Sequence, residues 1–126
     1  MNGYAVKRID ELAGIHGGAV KLAGAELGVE AFGLQVLDFP PKFAHYPAHD
    51  HAEDGQEEVY AVLEGSCTFD VAGERFDADA GTLVAVGPGR KRRIEPGEHG
   101  VRILAIGCSR GGAYTRPDDF RLAVRS

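Results

Sequence analysis

"HDHAEDGQEEVYAVLEG", residues 49 to 65, sets two histidines one residue apart, follows them with carboxylates, and ends in an alternating apolar run closed by a glycine. Alternate side chains of a β-strand share a face, so His49 and His51 point one way and Asp50 the other. Two imidazoles placed like this can grip one ion. After a turn at Glu53-Asp54-Gly55, the next strand puts Glu58, Tyr60 and Val62 on one face and Val59, Ala61 and Leu63 on the other. If the two strands are neighbours, Glu58 faces the histidines. Two imidazoles and one carboxylate, with positions left open, recur in non-haem iron sites and also suit manganese, nickel or zinc.

The flanking sequence has the same texture. "AFGLQVLDF" (31–39) alternates Phe32, Leu34 and Val36 against Gly33, Gln35 and Leu37, and Pro40-Pro41 then stops the ladder because neither can donate a backbone hydrogen bond. Downstream, "EVYAVLEG", "SCTFDVAGERFDA", "GTLVAVGPG", "RKRRIEPGEHG" and "VRILAIGC" read as short strands separated by glycine-containing turns, with hairpin tips at Ala72-Gly73-Glu74 and at "PGEHG" (96–100). With no helical stretch between residues 31 and 108, this argues an antiparallel sandwich or barrel. "AVKLAGAELGV" (19–29) offers a short helix that Gly24 weakens and Gly28 ends. The tail from Gly111 is expected to lie across the barrel or to pair with a neighbouring chain.

At 126 residues the chain suits one domain, a core at about 31–108 with an N-terminal extension (1–30) and a tail (109–126). Apolar residues make up 44% and charged residues 26%, the balance of a globular protein. Fourteen Lys and Arg against 19 Asp and Glu give a net charge of −5, and the one basic run is "RKRR" (90–93), so nucleic acid is not an expected partner. No window approaches the ~18 apolar residues of a membrane span, and the N-terminus lacks the apolar core of a signal peptide, so we expect a cytoplasmic protein without membrane contact. Cys67 and Cys108 stand alone in apolar runs and read as small buried thiols.

These residues resemble the cupins, small double-sheet barrels of the jelly-roll type. In the first cupin motif, His-x-His precedes a Glu that stands six residues before a Gly; His49-x-His51 and the interval from Glu58 to Gly65 match it, which favours Glu58 over Glu57 as the ligand. The second motif runs Gly, five residues, Pro-x-Gly, two residues, His, three residues, Asn. Here Gly81, "TLVAV" and Gly87-Pro88-Gly89 follow it, with Gly87 in place of the proline. Fifteen residues, Ser66 to Ala80, separate the motifs, similar to the spacing of small single-domain bacterial cupins. The resemblance implies a double-stranded β-helix (jelly-roll) barrel with a ligand cavity between its sheets. It also implies a homodimer formed through outer strands or an exchanged terminal segment. It leaves the reaction open.

The departures bear on the chemistry. Phe43 stands at the first motif's glycine, six residues rather than three or four separate His51 from Glu58, and Pro96 replaces the Asn. Above all, Arg92 occupies the slot of the fourth ligand, the histidine. A guanidinium carries only donors and stays protonated, so it cannot ligate a metal. Two arrangements follow. In one, His49, His51 and Glu58 hold a divalent ion and Arg92 clamps an anionic group of a substrate in the same cavity, with Tyr60 as proton donor. In the other, Arg92 pairs with Glu58 and takes the ion's place, giving a metal-free binding or sensor module. A cation about 4 Å away is worth on the order of 4 kcal/mol at an effective dielectric of ~20 and opposes a dication unless further negative charge, such as Glu53, Asp54 or Glu57, offsets it. With iron the chemistry would be oxygenation; with zinc or manganese, isomerisation or lyase chemistry. His45 could reach the site as a replacement ligand but reads better as a polar residue at the barrel mouth, while His16 and His99 read as solvated turn residues. Lys91 and Arg93 alternate away from Arg92 and are expected to face solvent.

Overall fold

The computed structural model describes residues 2–123; Met1 and residues 124–126, the end of the 109–126 tail, lie outside the described residues. Seven strands carry the fold: β1 (Gly14–Ile15), β2 (Val20–Lys21), β3 (Gly33–Phe39), β4 (Gln56–Val71), β5 (Glu74–Asp79), β6 (Leu83–Val86) and β7 (Arg92–Ser109). All pairings are antiparallel, in the order β1-β2-β3-β7-β4-β5, with β6 on β4. This is the expected all-β jelly-roll barrel. The short helix α1 (Ala23–Leu27) ends, as expected, at Gly28, whose φ of 73° is the left-handed turn that caps a helix. No helix of the described residues is long and apolar enough to cross a membrane.

Two expected breaks are bends instead. β4 runs unbroken through Gly65, and β7 runs through 96–100, so "PGEHG" is not a hairpin tip and His99 is an exposed strand residue. The physical reason shows in the burial pattern. In β4 the buried positions are even at 58, 60 and 62 and odd at 67 and 69; in β7 they are even at 92 and 94 and odd from 101. Register shifts between Val62 and Glu64 and between Gly65 and Cys67 supply the extra residue that exchanges the faces. Gly65 (φ 75°) makes the bend possible, for a Cβ there would lie 2.2 Å from the Gly100 carbonyl oxygen. The sheet folds over on itself and brings the ring of Tyr60 to 5.4 Å from that of Phe69. The core between the layers includes Val20, Leu37, Phe39, Val62, Ile94 and Ile103. The Ala72-Gly73 hairpin is as expected, both residues having positive φ.

Candidate metal centre

The segment bearing the histidines does not pair with β4. His49 and Arg92 instead form an isolated antiparallel bridge, the His49 amide donating to the Arg92 carbonyl at 3.0 Å and the Arg92 amide to the His49 carbonyl at 2.8 Å. The Gly87-Pro88-Gly89 turn holds the next residues, since the Pro88 carbonyl accepts the His51 amide at 2.8 Å. The histidines therefore reach Glu58 from across the barrel rather than from an adjacent strand. Glu58 has room to turn inward because its register partner on β7 is Gly107, where a Cβ would sit 3.1 Å from Glu58 Cγ. Glu57 is exposed on the other face.

One ligand atom from each of His49, His51 and Glu58 lies within 4.8 Å of the others. Glu58 Oε1 is 3.1 Å from His51 Nε2 and 3.5 Å from His49 Nε2. The far side of each imidazole is occupied: Asp54 lies 3.1 Å from His51 Nδ1, and the Pro47 carbonyl 3.2 Å from His49 Nδ1. A proton held at each Nδ1 leaves each Nε2 as a lone pair facing the centre, the outer-shell arrangement that orients ligating histidines. His51 Nε2 is buried and, despite its approach to Glu58, has no aligned hydrogen-bond partner among the described residues. An orphaned acceptor beside a second imidazole and a carboxylate fits a divalent cation, and the cluster is able to chelate one.

Behind Glu58 stand the two other residues singled out in the sequence. Arg92 is wholly buried (0% exposed). Its Nη1 donates to Glu58 Oε1 at 2.5 Å, Nη2 to the Gly87 carbonyl at 2.7 Å and Nε to the Arg90 carbonyl at 3.0 Å. Lys91 and Arg93 are exposed, as the alternation required. The Tyr60 hydroxyl donates to the same Glu58 oxygen at 2.6 Å. Neither Arg92 nor Tyr60 lines the cavity in front of the cluster. Glu58 and Arg92 are paired directly, beside a three-residue cluster that is able to chelate an ion.

Burial alone would raise the Glu58 carboxyl, but its contacts with His49, His51 and Tyr60 outweigh that and hold it far below the usual carboxylate range. His51 is raised, chiefly by Glu58, against the opposing effect of burial and with help from Asp54. Burial, reinforced by Tyr46 and the Glu58 charge, pushes the Tyr60 phenol far above its ordinary value, so it stays protonated.

The cavity holds about 290 Å³, near the lower end of small-molecule sites, and Ile15, Val20, Leu37 and Phe120 supply much of its apolar wall. Two contributors, Tyr46 and Tyr114, escaped the sequence reading, and a third, Asp54, was read there only as a nearby charge. Asp54 orients His51; Tyr46 packs its ring edge-on to His49, centroids 5.4 Å apart; Tyr114 enters from the tail. An aspartate three residues after the second histidine was a readable signal for the first, whereas nothing local marks the tail. His45 is exposed and outside the cluster, and His16, in a turn as expected, touches only the rim. Cys67 is buried, its thiol pushed up to about 11 by burial, while Cys108 is half-buried. A more open groove of about 640 Å³ lies elsewhere, and there Asp38 pairs with Arg102 at 2.9 Å and with Lys21 at 4.0 Å.

The barrel and its paired motifs define a cupin fold. Among solved structures the chain is similar to a cupin protein from Bacteroides fragilis, at 19% identity over 100% of each chain with a TM-score of 0.68. It is similar to a cupin-superfamily sugar phosphate isomerase from Silicibacter pomeroyi, at 18% identity over 82% of this chain and 74% of that one, TM-score 0.65. A predicted oxalate decarboxylase from Thermotoga maritima shares 23% identity over 82% of this chain and 97% of that one, TM-score 0.63. These likenesses are of fold. No family model matches the chain, and no curated protein matches it.

Proposed function

We propose that the protein binds a divalent metal ion through His49, His51 and Glu58 and holds a small anionic metabolite in the cavity in front of it. The observation that carries this reading is the convergence of two Nε2 atoms whose Nδ1 partners are both fixed, one of them buried without a hydrogen bond. The charge balance points to an anion. Arg92 neutralises Glu58, so a dication held by two neutral imidazoles would keep its positive charge at the cluster, with the carboxylates of Asp54 and Asp119 on the cavity wall as partial offset, and an anionic ligand suits the positions left open on the ion. Two similar structures are named for reactions of oxalate and of sugar phosphates, both small anions. When bound, the ion supplies Lewis acidity or, if iron, redox chemistry with dioxygen.

In this reading Arg92 keeps Glu58 ionised and aimed, and acts on the bound anion through space rather than by contact. Tyr60 holds its proton at Oη against Glu58. The Arg92–Glu58 contact also favours a second reading, a metal-free pocket that recognises its ligand without catalysis. Metal content per chain, measured by plasma mass spectrometry on protein purified without a His tag or chelator, separates the two. Near-stoichiometric metal that is lost in a His49→Ala, His51→Ala double variant supports the first. No metal after incubation with iron, manganese, nickel and zinc removes it.

The same reading includes a homodimer. On the outer sheet face, Val59 stands opposite Ala85 and Ile106, and Ala61 opposite Leu83 and Leu104, with Leu83 73% exposed. Such a contiguous apolar face suits a second copy of the chain. Leu83→Lys is expected to convert a dimer to a monomer in light scattering; a wild type already monomeric at micromolar concentration removes this part.

A further inference from the structure

Residues 110–120, after β7, do not trail into solvent. Ser109 Oγ donates to the Asp54 carbonyl at 2.6 Å, which fixes the start of the segment beside the residue that orients His51. Farther on, Arg116 Nη2 donates to the Val29 carbonyl. The short turn Asp118–Phe120 then carries Phe120 against the main core cluster. Residues 110–120 are thus a strap tied at both ends, and Tyr114 and Phe120 face the cavity that His49, His51 and Glu58 also line.

The floor between these two sets of residues is low for a specific reason. Glu58 pairs across the sheet with Gly107, and Gly107 pairs with Gly33. Two adjacent glycines contribute no side chain of their own to the row that runs from Glu58 toward Tyr114, and the Gln56 side chain leans over Gly107, its Oε1 2.7 Å from where a Cβ would sit. A Cβ on Gly33 would meet the Tyr114 ring at 3.1 to 3.3 Å, so the ring rests on that strand's backbone and ends the row. Two strand spacings separate Glu58 from Gly33, roughly 10 Å, which sets a short reach for anything held at the cluster.

We infer that the strap, through the ring of Tyr114 and the side chain of Phe120, forms the far wall of the ligand cavity and determines the length of ligand that it accepts. This rests on the proposal that the cavity takes a small anion. The strap is a specificity element: it is not needed to hold the ion, and it excludes ligands too long for the glycine floor. The hydroxyl also lies over Gly33, but the ring supplies most of the wall's bulk, so the ring is the part taken to exclude.

The test uses straight-chain monocarboxylates, acetate through octanoate, added to the full-length protein with and without cobalt(II). Binding is read from the methyl chemical shifts of Ile15, Val20 and Leu37, which line the cavity. In the wild type, affinity should rise with chain length and then fall at least tenfold beyond a cut-off. Tyr114→Ala should move the cut-off by two or more carbons, Tyr114→Phe should leave it in place, and Tyr114→Trp should move it to shorter chains. A uniform change across the series, an unchanged cut-off in Tyr114→Ala, or no binding of any carboxylate by either protein overturns the inference. Absence of a cobalt(II) d–d spectrum in the wild type would remove the metal reading alone, because the chain-length profile of the metal-free protein still decides the wall. Thermal melts of each variant show whether it remains folded, and Tyr114→Phe serves as the folded reference.

Discussion

Replacing Arg92 by methionine removes one charge from the most buried ion pair among the described residues while keeping much of the side chain's length. Glu58, 8% exposed, then loses a donor at 2.5 Å, and breaking one side of a buried pair costs about 3–5 kcal/mol. For 126 residues, with an unfolding entropy of about 2.1 cal/mol/K per residue, this is a fall in Tm of ~11–19 °C. Metal affinity should move the other way. A dication held at Glu58 would be repelled by the guanidinium, by about 7 kcal/mol for charges ~5 Å apart at an effective dielectric of ~20. Even a third of that, ~2 kcal/mol, is roughly thirtyfold in Kd. Calorimetric titration with manganese or zinc, paired with melts of the metal-free and loaded protein, reads both quantities. We expect Arg92→Met to be destabilised without metal, to bind metal at least thirtyfold more tightly, and to recover stability when loaded. Arg92→His should bind more tightly still, since it completes a four-ligand set. If Arg92→Met leaves both Tm and metal affinity unchanged, the coupling between Glu58 and Arg92 is refuted.

Asp54→Asn should weaken metal binding about 10- to 100-fold with little loss of fold, because the carboxylate lies 3.1 Å from His51 Nδ1 in a half-open loop; competition against a chromophoric chelator measures it. The pH dependence has a definite sign. His51 is raised above 6.5, so its share of stability is complete below that value and is lost as pH rises through the raised one; Glu58 is lowered from 4.5, so its share is complete above 4.5 and is lost on acidification. Melts of the metal-free protein should therefore show the pair's contribution at its maximum between about pH 4.5 and 6.5, whereas metal affinity should fall about tenfold per pH unit below the raised His51 value, where a proton competes for the imidazole. Gly65→Ala should cost roughly 2–5 kcal/mol in chemical denaturation, combining a positive φ with a Cβ 2.2 Å from a backbone oxygen; a loss under 1 kcal/mol would contradict the account of the bend.

Much of this site was legible because strand alternation and motif spacing are local. The interval from Glu58 to Gly65 selected Glu58 over Glu57, the motif slot placed Arg92 in the site, and period two then turned Lys91 and Arg93 toward solvent. What escaped depends on long-range packing. Gly65 and "PGEHG" carry turn residues, and only the meeting of Gly65 with Gly100 across the sheet shows that they bend strands rather than end them. The neighbour of His49 was likewise hidden, since one backbone bridge to Arg92, 43 positions along the chain, leaves no periodic trace. Tyr114 lies in a segment without alternation, held by an arginine on a carbonyl, an attachment that no local pattern encodes.

The His49–Arg92 bridge links folding cooperativity to the chemistry of the site. Residues 40–55 contain no regular strand, and their inner stretch is fastened by this bridge and by the His51 amide on Pro88. Opening that fastening withdraws both imidazoles together and strips Arg92 of its backbone partner while its side chain still grips Glu58. The amides of His49, His51 and Arg92 should therefore exchange with deuterium as one unit, at a free energy below that of global unfolding. An ion bound at the centre would slow all three in proportion to its occupancy, which turns three backbone protons into a gauge of what the barrel holds.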